Sequence, residues 1–148
     1  MKLIKPSFEI IEQQPGFEGI YKQIEFAGRT CYKSSNKITE DSAKSFVDRM
    51  IKSGHGSMLE HGTVYLAIPH INDIEADSAF NTPFDHNSYS KVTKYNKIAY
   101  ITTNYRAIIE NKWGDWLKYL CEPTEFHEKR ITVKFICDRG VSHKEFVA

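Results

Sequence analysis

A helical pattern gives way to a strand pattern across ten residues of the first half of the chain, and this change constrains the fold most. Residues 40–53 carry an apolar stripe at helical spacing, which consists of Ala43, Phe46, Val47, Met50 and Ile51. Residues 63–68 (TVYLAI) alternate with the period of two that is typical of a strand. The segment between them, residues 53–62 (SGHGSMLEHG), is called the polar turn below. Helix followed directly by strand indicates a domain with both kinds of element.

The remaining patterns predict further elements. They are strand 3–11, helix 16–33, a long loop at 69–89, a hairpin of 90–96 and 97–102 joined near residues 96–97, helix 104–111, helical turns at 114–121 and strand 131–137. We predict an α+β fold in which strands 62–68 and 131–137 are neighbours in a mostly antiparallel sheet, with helices 16–33 and 40–53 packed on one face. Residues 1–148 are expected to form a single domain.

Capping residues set the expected helix ends. Thr39 is a good N-cap for helix 40–53, and Gly54 is placed to end that helix. Thr102 or Thr103 is expected to cap the helix at 104–111, and Asp138 a final helix. Residues 125–130 (EFHEKR) are interpreted as a charged connector.

Composition excludes several classes. The hydrophobic content of 41% and aromatic content of 13% fit a folded globular protein. The formal net charge is +1 and the lysines are interleaved with acids, so no basic stripe points to nucleic acid. No apolar run approaches a membrane span and the N-terminus lacks a signal-peptide pattern, so we expect a cytoplasmic protein with no membrane partner.

The three cysteines do not form a scaffold. Cys31, Cys121 and Cys137 are odd in number and no two form CxxC, which disfavours disulfides and zinc knuckles. We expect three reduced and mostly buried thiols.

The polar turn has two interpretations. His55, Ser57, Glu60 and His61 do not match the His-Glu-x-x-His spacing of zinc proteases or a Gly-x-Ser-x-Gly nucleophile elbow, so neither metal binding nor acyl transfer is predicted. In the structural interpretation, His55 and Glu60 cap neighbouring backbone. In the functional interpretation, glycines let the backbone approach a flat or phosphorylated ligand, such as a flavin or a nucleotide, and the hydroxyl and imidazole contact it.

A second polar cluster lies at the end of helix 16–33. In residues 28–34 (GRTCYKS), Arg29 and Lys33 lie four positions apart. They are interpreted either as ordinary partners of the helix dipole or as an anion-binding pair.

Three segments in order resemble one family. Residues 28–34, 53–68 and 132–143 (TVKFICDRGVSH) resemble the flavin-dependent thymidylate synthases, the thymidylate synthase-complementing family, over the N-terminal half of that family. The resemblance implies reductive methylation of dUMP to dTMP. Methylenetetrahydrofolate would supply the carbon, and FAD reduced by NADPH would supply the hydride. It also implies a homotetramer whose flavin sites are shared between subunits. The chain lacks the Gly-x-Gly-x-x-Gly fingerprint of a Rossmann flavin site, and a site assembled from loops does not need one.

The resemblance also implies roles for individual residues. Ser57 matches a small hydroxyl residue that contacts the flavin, and His55 matches a histidine on the flavin and folate side of the pocket. Glu60 and His61 match a pair that supports the loop, so they are expected to act through other residues.

Further positions carry over from the helix end and the C-terminus. Cys31 falls where relatives carry Ser or Cys close to the cofactor, and Arg29 is expected to orient that helix end. Glu145 lies near a Gln or Glu that touches the nucleotide in relatives, which makes it the expected substrate-binding residue. No residue is assigned a catalytic role.

The sequence departs from the family at its C-terminus. Relatives continue from Val-Ser-His into Arg-His-Arg, whereas here Lys144 is inserted and Ala148 occupies the place of the first arginine. We therefore expect the arginines that hold dUMP to be missing, and this chain to be an incomplete or inactive version that self-associates. The alternatives are a non-catalytic oligomerising or flavin- or nucleotide-binding module, and an unrelated α/β binding domain.

Overall fold

The protein has an α+β fold with antiparallel sheets, as the sequence predicts. The structure is a computed structural model that describes residues 5–70 and 81–137. Its elements are β1 (Ser7–Ile11), α1 (Gly16–Cys31), α2 (Ser42–Lys52), α3 (Gly56–Leu59), β2 (Thr63–Pro69), β3 (Lys91–Tyr95), β4 (Ile98–Asn104), α4 (Tyr105–Glu110) and β5 (Thr132–Ile136). Short 3-10 helices occupy Ser35–Lys37, Pro83–His86 and Gly114–Tyr119.

The chain divides into two compact units. The smaller unit comprises residues 1–12 with 131–148, and the larger unit comprises residues 13–130. Within the described residues no helix is long and apolar enough to cross a membrane.

The larger unit contains a three-stranded antiparallel sheet in the order β2-β4-β3. Leu66 of β2 faces Ile101 of β4, and Val92 of β3 faces the same Ile101 from the other side. The predicted hairpin is confirmed. Its two connecting residues, Asn96 and Lys97, have φ values of 48° and 59°, as in the turns that match strand twist in two-residue hairpins.

The apolar stripes of α1 and α2 share one core with the sheet. The buried residues of this core include Ile20, Ile24, Phe46, Val47, Met50, Val64, Leu66, Ile68, Ala99 and Ile101. The two helices approach closely at Gly28, where a Cβ atom would lie 2.5 Å from Phe46 Cζ. A side chain at this position would therefore have to displace the buried ring of Phe46.

The end of α2 follows the prediction and its start does not. Gly54 adopts a φ of 70°, its N–H donates to the Ile51 carbonyl, and the His55 N–H donates to the Met50 carbonyl. These two backbone hydrogen bonds around a glycine in the left-handed conformation form a Schellman motif. The N-cap is Asp41 and not Thr39, because Thr39 belongs to a preceding turn in which its N–H donates to Ser42 Oγ.

The predicted cap of α4 is also wrong. Thr102 and Thr103 lie within β4, which continues to Asn104. Asn104 is the N-cap, and its Oδ1 accepts from the Ala107 N–H at 2.9 Å. Strand pairing with β2 continues through these threonines, so the helix begins only where the ladder ends.

The two strands predicted to be neighbours belong to different sheets. In the smaller unit, β1 and β5 form a two-stranded antiparallel sheet in which Phe8 faces Phe135. In the larger unit, β2 pairs with β4. The expectation that strands 62–68 and 131–137 lie side by side is therefore wrong, although both are strands.

Residues 120–127, which end inside the predicted charged connector, cover part of β2. The Cys121 N–H donates to the Tyr65 carbonyl at 3.0 Å, and Leu66 forms an isolated antiparallel bridge with Leu120. Buried His127 contacts the Leu66 carbonyl through Nε2 at 3.1 Å. Residues 120–127 thus form hydrogen bonds with backbone groups of β2 that do not pair with β4. These bonds cover the exposed edge of the sheet.

The cysteines are less buried than expected. Cys31 and Cys137 are exposed and Cys121 is half-buried, and all three are free thiols. The helix predicted after Asp138 lies outside the described residues.

Candidate functional site

The polar turn projects its hydrophilic side chains from a buried anchor. After Gly54 it contains α3, a single helical turn, and its backbone N–H groups donate to carbonyls three residues back at Met58, Glu60 and His61. Leu59 is buried in the core. The four residues singled out in the sequence, His55, Ser57, Glu60 and His61, are all exposed. This segment therefore presents polar groups to solvent from a fixed base.

The last glycine of the polar turn allows close packing. A Cβ atom on Gly62 would lie 2.7 Å from Ile24 Cδ1 and 2.8 Å from Ile20 Cγ2. Both isoleucines are fully buried, so they have little room to move. Gly62 therefore has a structural explanation, which is the direct contact between the start of β2 and α1.

His55 contacts the end of α1. Its Nδ1 lies 3.0 Å from Tyr32 Oη, and the two rings are 6.2 Å apart. The side chain of His55 makes no capping hydrogen bond, although its backbone occupies the N-cap position of α3. The capping role considered for His55 is therefore wrong, and the exposed Tyr32–His55 pair forms one side of the candidate site.

Glu60 contacts α4. Its Oε1 lies 2.6 Å from Arg106 Nη1, and Arg106 Nε donates to Glu110 Oε1 at 2.6 Å. The carboxylate of Glu60 thus forms an ion pair with Arg106 and does not cap the backbone. No sequence pattern points to Arg106, because the apolar residues around it indicate only a helix.

A cleft of about 260 Å³ borders this ion-pair cluster. Hydrogen-bonding side chains dominate its lining, which comprises Glu60, Asn87, Tyr89, Asn104, Arg106, Ala107, Glu110 and Asn111. The guanidinium of Arg106 already contacts two carboxylates, which raise its pKa further above the ordinary value and keep it charged. The cleft therefore offers both acceptors and donors to a polar ligand.

The candidates at the end of α1 separate into two environments. Arg29 is buried, and its Nε and Nη2 both lie 3.1 Å from Glu25 Oε1. Its guanidinium also lies over the ring of Phe46, and Ser42 Oγ donates to Glu25 Oε2. Cys31, the last residue of α1, is exposed. The guanidinium of Arg29 is therefore engaged by Glu25 and Phe46 inside the protein, whereas the thiol of Cys31 is exposed to solvent.

Two other titratable groups have shifted pKa values. Burial raises the pKa of the Cys121 thiol, and nearby Glu122 adds to this effect. Burial also raises the pKa of Tyr105, whose hydroxyl lies 3.1 Å from that of Tyr21. Both groups are held in their neutral forms, so neither is an activated nucleophile. Among residues 5–70 and 81–137 no three His, Cys, Asp or Glu side chains are grouped to hold a metal ion. Glu145 lies outside the described residues.

The family comparison identifies the N-terminal part of the chain. Residues 11–77 match the family described as thymidylate synthase complementing protein. This segment, a little under half of the chain, is similar to that family. The match includes α1, α2, the polar turn and β2, and it ends before β3 and α4. No curated protein and no solved structure matches the chain significantly.

Proposed function

We propose that the protein takes part in flavin-dependent thymidylate synthesis, the reductive methylation of dUMP to dTMP. The observation that carries the proposal is that the family match includes the whole polar turn, whose polar side chains are exposed. Methylenetetrahydrofolate and NADPH are the proposed co-substrates, and FAD is the proposed cofactor. When bound, the reduced flavin would supply the hydride of the reaction.

The polar turn fits the chemistry of a flavin in three respects. Ser57 offers a hydroxyl that can donate or accept, and His55 offers an imidazole. The exposed ring of Tyr32 lies beside His55 and provides an apolar face with a polar end. These groups suit a flat ring system that carries hydrogen-bonding edges. The proposed contacts are Ser57 and His55, with Cys31 at the end of α1. Arg29 is proposed to orient that helix end from its buried ion pair with Glu25.

The remaining site residues are proposed to support the polar turn or to contact the nucleotide. Glu60 and His61 support the polar turn, and Glu145 contacts the nucleotide. We further propose a homo-oligomer in which flavin sites are shared between subunits, since one polar turn leaves much of a cofactor as large as FAD uncovered. Light scattering on the purified protein measures this state, and a monomer at high concentration would contradict it.

The test of the proposed function is retention of flavin. The purified protein is mixed with FAD and desalted, and its absorbance near 450 nm is recorded. The double variant His55→Ala/Ser57→Ala removes two ligand contacts, so we expect it to bind flavin about tenfold more weakly, which corresponds to about 0.7 kcal/mol for each contact. The control is His86→Ala/Ser35→Ala, which removes the same side chains from exposed positions outside the polar turn.

Each outcome has a distinct meaning. Loss of flavin in the His55/Ser57 variant but not in the control supports the polar turn as part of the cofactor site. Equal retention by both variants would contradict it. Retained flavin without conversion of dUMP, measured by complementation of a thymidine auxotroph, would assign the protein to a non-catalytic flavin-binding module.

A further inference from the structure

Arg106 links the polar turn to a helix that lies outside the family match. Its Nη1 contacts Glu60 Oε1 at 2.6 Å, across 46 positions of sequence, and its Nε contacts Glu110 Oε1 at 2.6 Å. The two carboxylates engage different nitrogens of one planar guanidinium. This arrangement fixes the orientation of the plane, which a single contact would not do.

Hydrogen bonds on either side of the α4 N-terminus hold the backbone of Arg106 in place. Asn104 caps the helix, and the Tyr105 N–H donates to the Gly62 carbonyl at 2.8 Å. Gly62 is the last residue of the polar turn. The residue before Arg106 is therefore attached to one end of the polar turn, and the side chain of Arg106 reaches its middle.

The guanidinium also lies against the backbone of α3. A Cβ atom on Gly56 would lie 3.1 Å from Arg106 Nε and 3.4 Å from Glu110 Oε1. The absence of a side chain at Gly56 leaves the room that this ion-pair cluster occupies. Contact with Gly56, Glu60 and, through Tyr105, Gly62 means that α4 contacts the polar turn along its length.

We propose that Arg106 is a positioning residue for ligand binding at the polar turn, acting through Glu60 and held in place by Glu110. The proposal rests on the proposed function, because it takes FAD to be the ligand. Arg106 itself does not contact the flavin. It holds α3 in the conformation that keeps His55 and Ser57 available to the ligand.

The solvent exposure of the ion-pair cluster indicates that Arg106 contributes little to the stability of the fold. The side chains of Arg106, Glu60 and Glu110 are 39%, 47% and 56% exposed. Ion pairs this open to solvent contribute little to the free energy of unfolding. Loss of Arg106 should therefore weaken ligand binding while the thermal midpoint stays close to that of the wild type.

The first experiment measures FAD affinity by fluorescence titration of Arg106→Gln, Glu60→Gln and the double variant. We expect each single variant to bind about threefold more weakly, the scale of one exposed ion pair, and the double variant no more weakly than either, because both changes break the same contact. Arg106→Lys keeps a cation within reach of Glu60 and should bind FAD more tightly than Arg106→Gln. Wild-type affinity in Arg106→Gln, a double variant that multiplies the two losses, or a Lys variant as weak as Gln would overturn the proposal.

A matched control removes an ion pair elsewhere on the surface. Lys22 and Glu18 form an exposed pair at 2.6 Å within α1, also four residues apart. Lys22→Gln should leave FAD affinity unchanged. Thermal unfolding of all variants tests whether the effect is general, and a fall in the midpoint of Arg106→Gln large enough to account for the lost binding would count against positioning.

A second measurement does not depend on flavin. Amide hydrogen exchange, followed by NMR on the protein without ligand, reports on the hydrogen bonds of Met58, Glu60 and His61 in the polar turn. We expect these amides to exchange at least about threefold faster in Arg106→Gln, and at the wild-type rate in Lys22→Gln. If the wild type binds no FAD, the proposed function fails while this measurement still tests the link. Unchanged exchange in Arg106→Gln would overturn the link itself.

Discussion

Two arginines with the same local spacing to a carboxylate have different environments. Arg29 pairs with Glu25 four residues earlier, is buried and lies over Phe46. Arg106 pairs with Glu110 four residues later, its side chain is 39% exposed, and its second contact reaches Glu60 on another element. Removing one partner of a buried pair leaves an uncompensated charge, whereas an exposed pair can be lost at little cost to stability. Arg29 therefore stabilises the folded state through its buried ion pair. Arg106 can position the polar turn while contributing little to the free energy of unfolding.

His127 is the buried imidazole of the larger unit. The Thr124 N–H can only donate, so Nδ1 accepts it at 3.0 Å and the proton resides on Nε2, which donates to the Leu66 carbonyl. The rings of Tyr65 and Tyr100 meet the imidazole edge-on at 5.4 Å each. Burial lowers the pKa of His127, although the Leu66 carbonyl acts in the opposite direction.

This environment predicts a pH dependence of stability. The unfolded chain binds a proton at His127 as the pH falls through about 6.5, while the folded chain resists it to lower pH. The unfolded state then binds more protons, so the free energy of unfolding should fall below pH 6.5. Urea unfolding between pH 7.5 and 5.5 should show a smaller loss of stability in His127→Gln than in the wild type.

The control for this prediction is an exposed histidine. His86→Gln changes a side chain at the surface and should leave the pH dependence as it is in the wild type. If His127→Gln and the wild type lose the same free energy of unfolding across this range, then protonation of His127 does not contribute to acid destabilisation.

At the scale of elements, the junction between β4 and α4 connects the sheet to the site. Asn104 ends the ladder with β2, opposite Thr63, and caps the helix that carries Arg106. Loss of an Asn cap typically costs about 1 kcal/mol. We expect Asn104→Ala to lower the free energy of unfolding by about 1 kcal/mol in chemical denaturation, because the Ala107 N–H loses its partner.

Asn36→Ala provides the comparison, since Asn36 is exposed in a short 3-10 helix without a side-chain cap. It should change the free energy of unfolding by less than about 0.5 kcal/mol. Equal losses in the two variants would show that the hydrogen bond of Asn104 does not stabilise α4.

The same elements show what local sequence can predict. The alternation in residues 63–68 and 131–137 correctly predicts two strands, because a period of two reflects the pleat itself. Alternation does not encode the partner of a strand, so the prediction that they were neighbours was wrong. The helices were found for a similar reason. The caps at Asp41 and Asn104 were missed because neighbouring threonines are also favoured N-cap residues, and local sequence does not show where the preceding turn or strand ends.

The candidate site was predictable only in its local part. Two histidines, a serine and a glutamate among glycines identified the polar turn, and the family match includes it. Arg106 was missed because its contact with Glu60 joins positions far apart in sequence. His127 was missed because its segment is rich in charge, and charge predicts exposure, whereas three aromatic or backbone partners bury this residue.

At the scale of the whole molecule, the family match falls almost entirely within the larger unit. Only residues 11 and 12 of the matched range belong to the smaller unit. The larger unit also contains the polar turn, α4 and the cleft beside Arg106. The proposed site is therefore built within one compact unit, from the matched segment together with a helix that follows it in sequence.

The two units should differ in local stability. In the smaller unit, β1 and β5 form a sheet of two strands, and the side chains of Phe8 and Ile10 are 70% and 55% exposed. In the larger unit, β4 is the central strand and Ile101 is fully buried. Because a two-stranded sheet with exposed side chains is marginal in water, its hydrogen bonds should open more often than those of a central strand.

Hydrogen exchange measured by mass spectrometry tests this difference on the intact protein. Peptides covering residues 7–11 and 132–136 should take up deuterium at least about tenfold faster than the peptide covering residues 98–104, which corresponds to a difference of about 1.4 kcal/mol in opening free energy. Peptides from residues 33–41, which contain no strand, serve as the reference for weakly protected backbone. Uptake in β1 and β5 as slow as in β4 would mean that the smaller unit opens only together with the larger one, and that the chain unfolds as a single cooperative body.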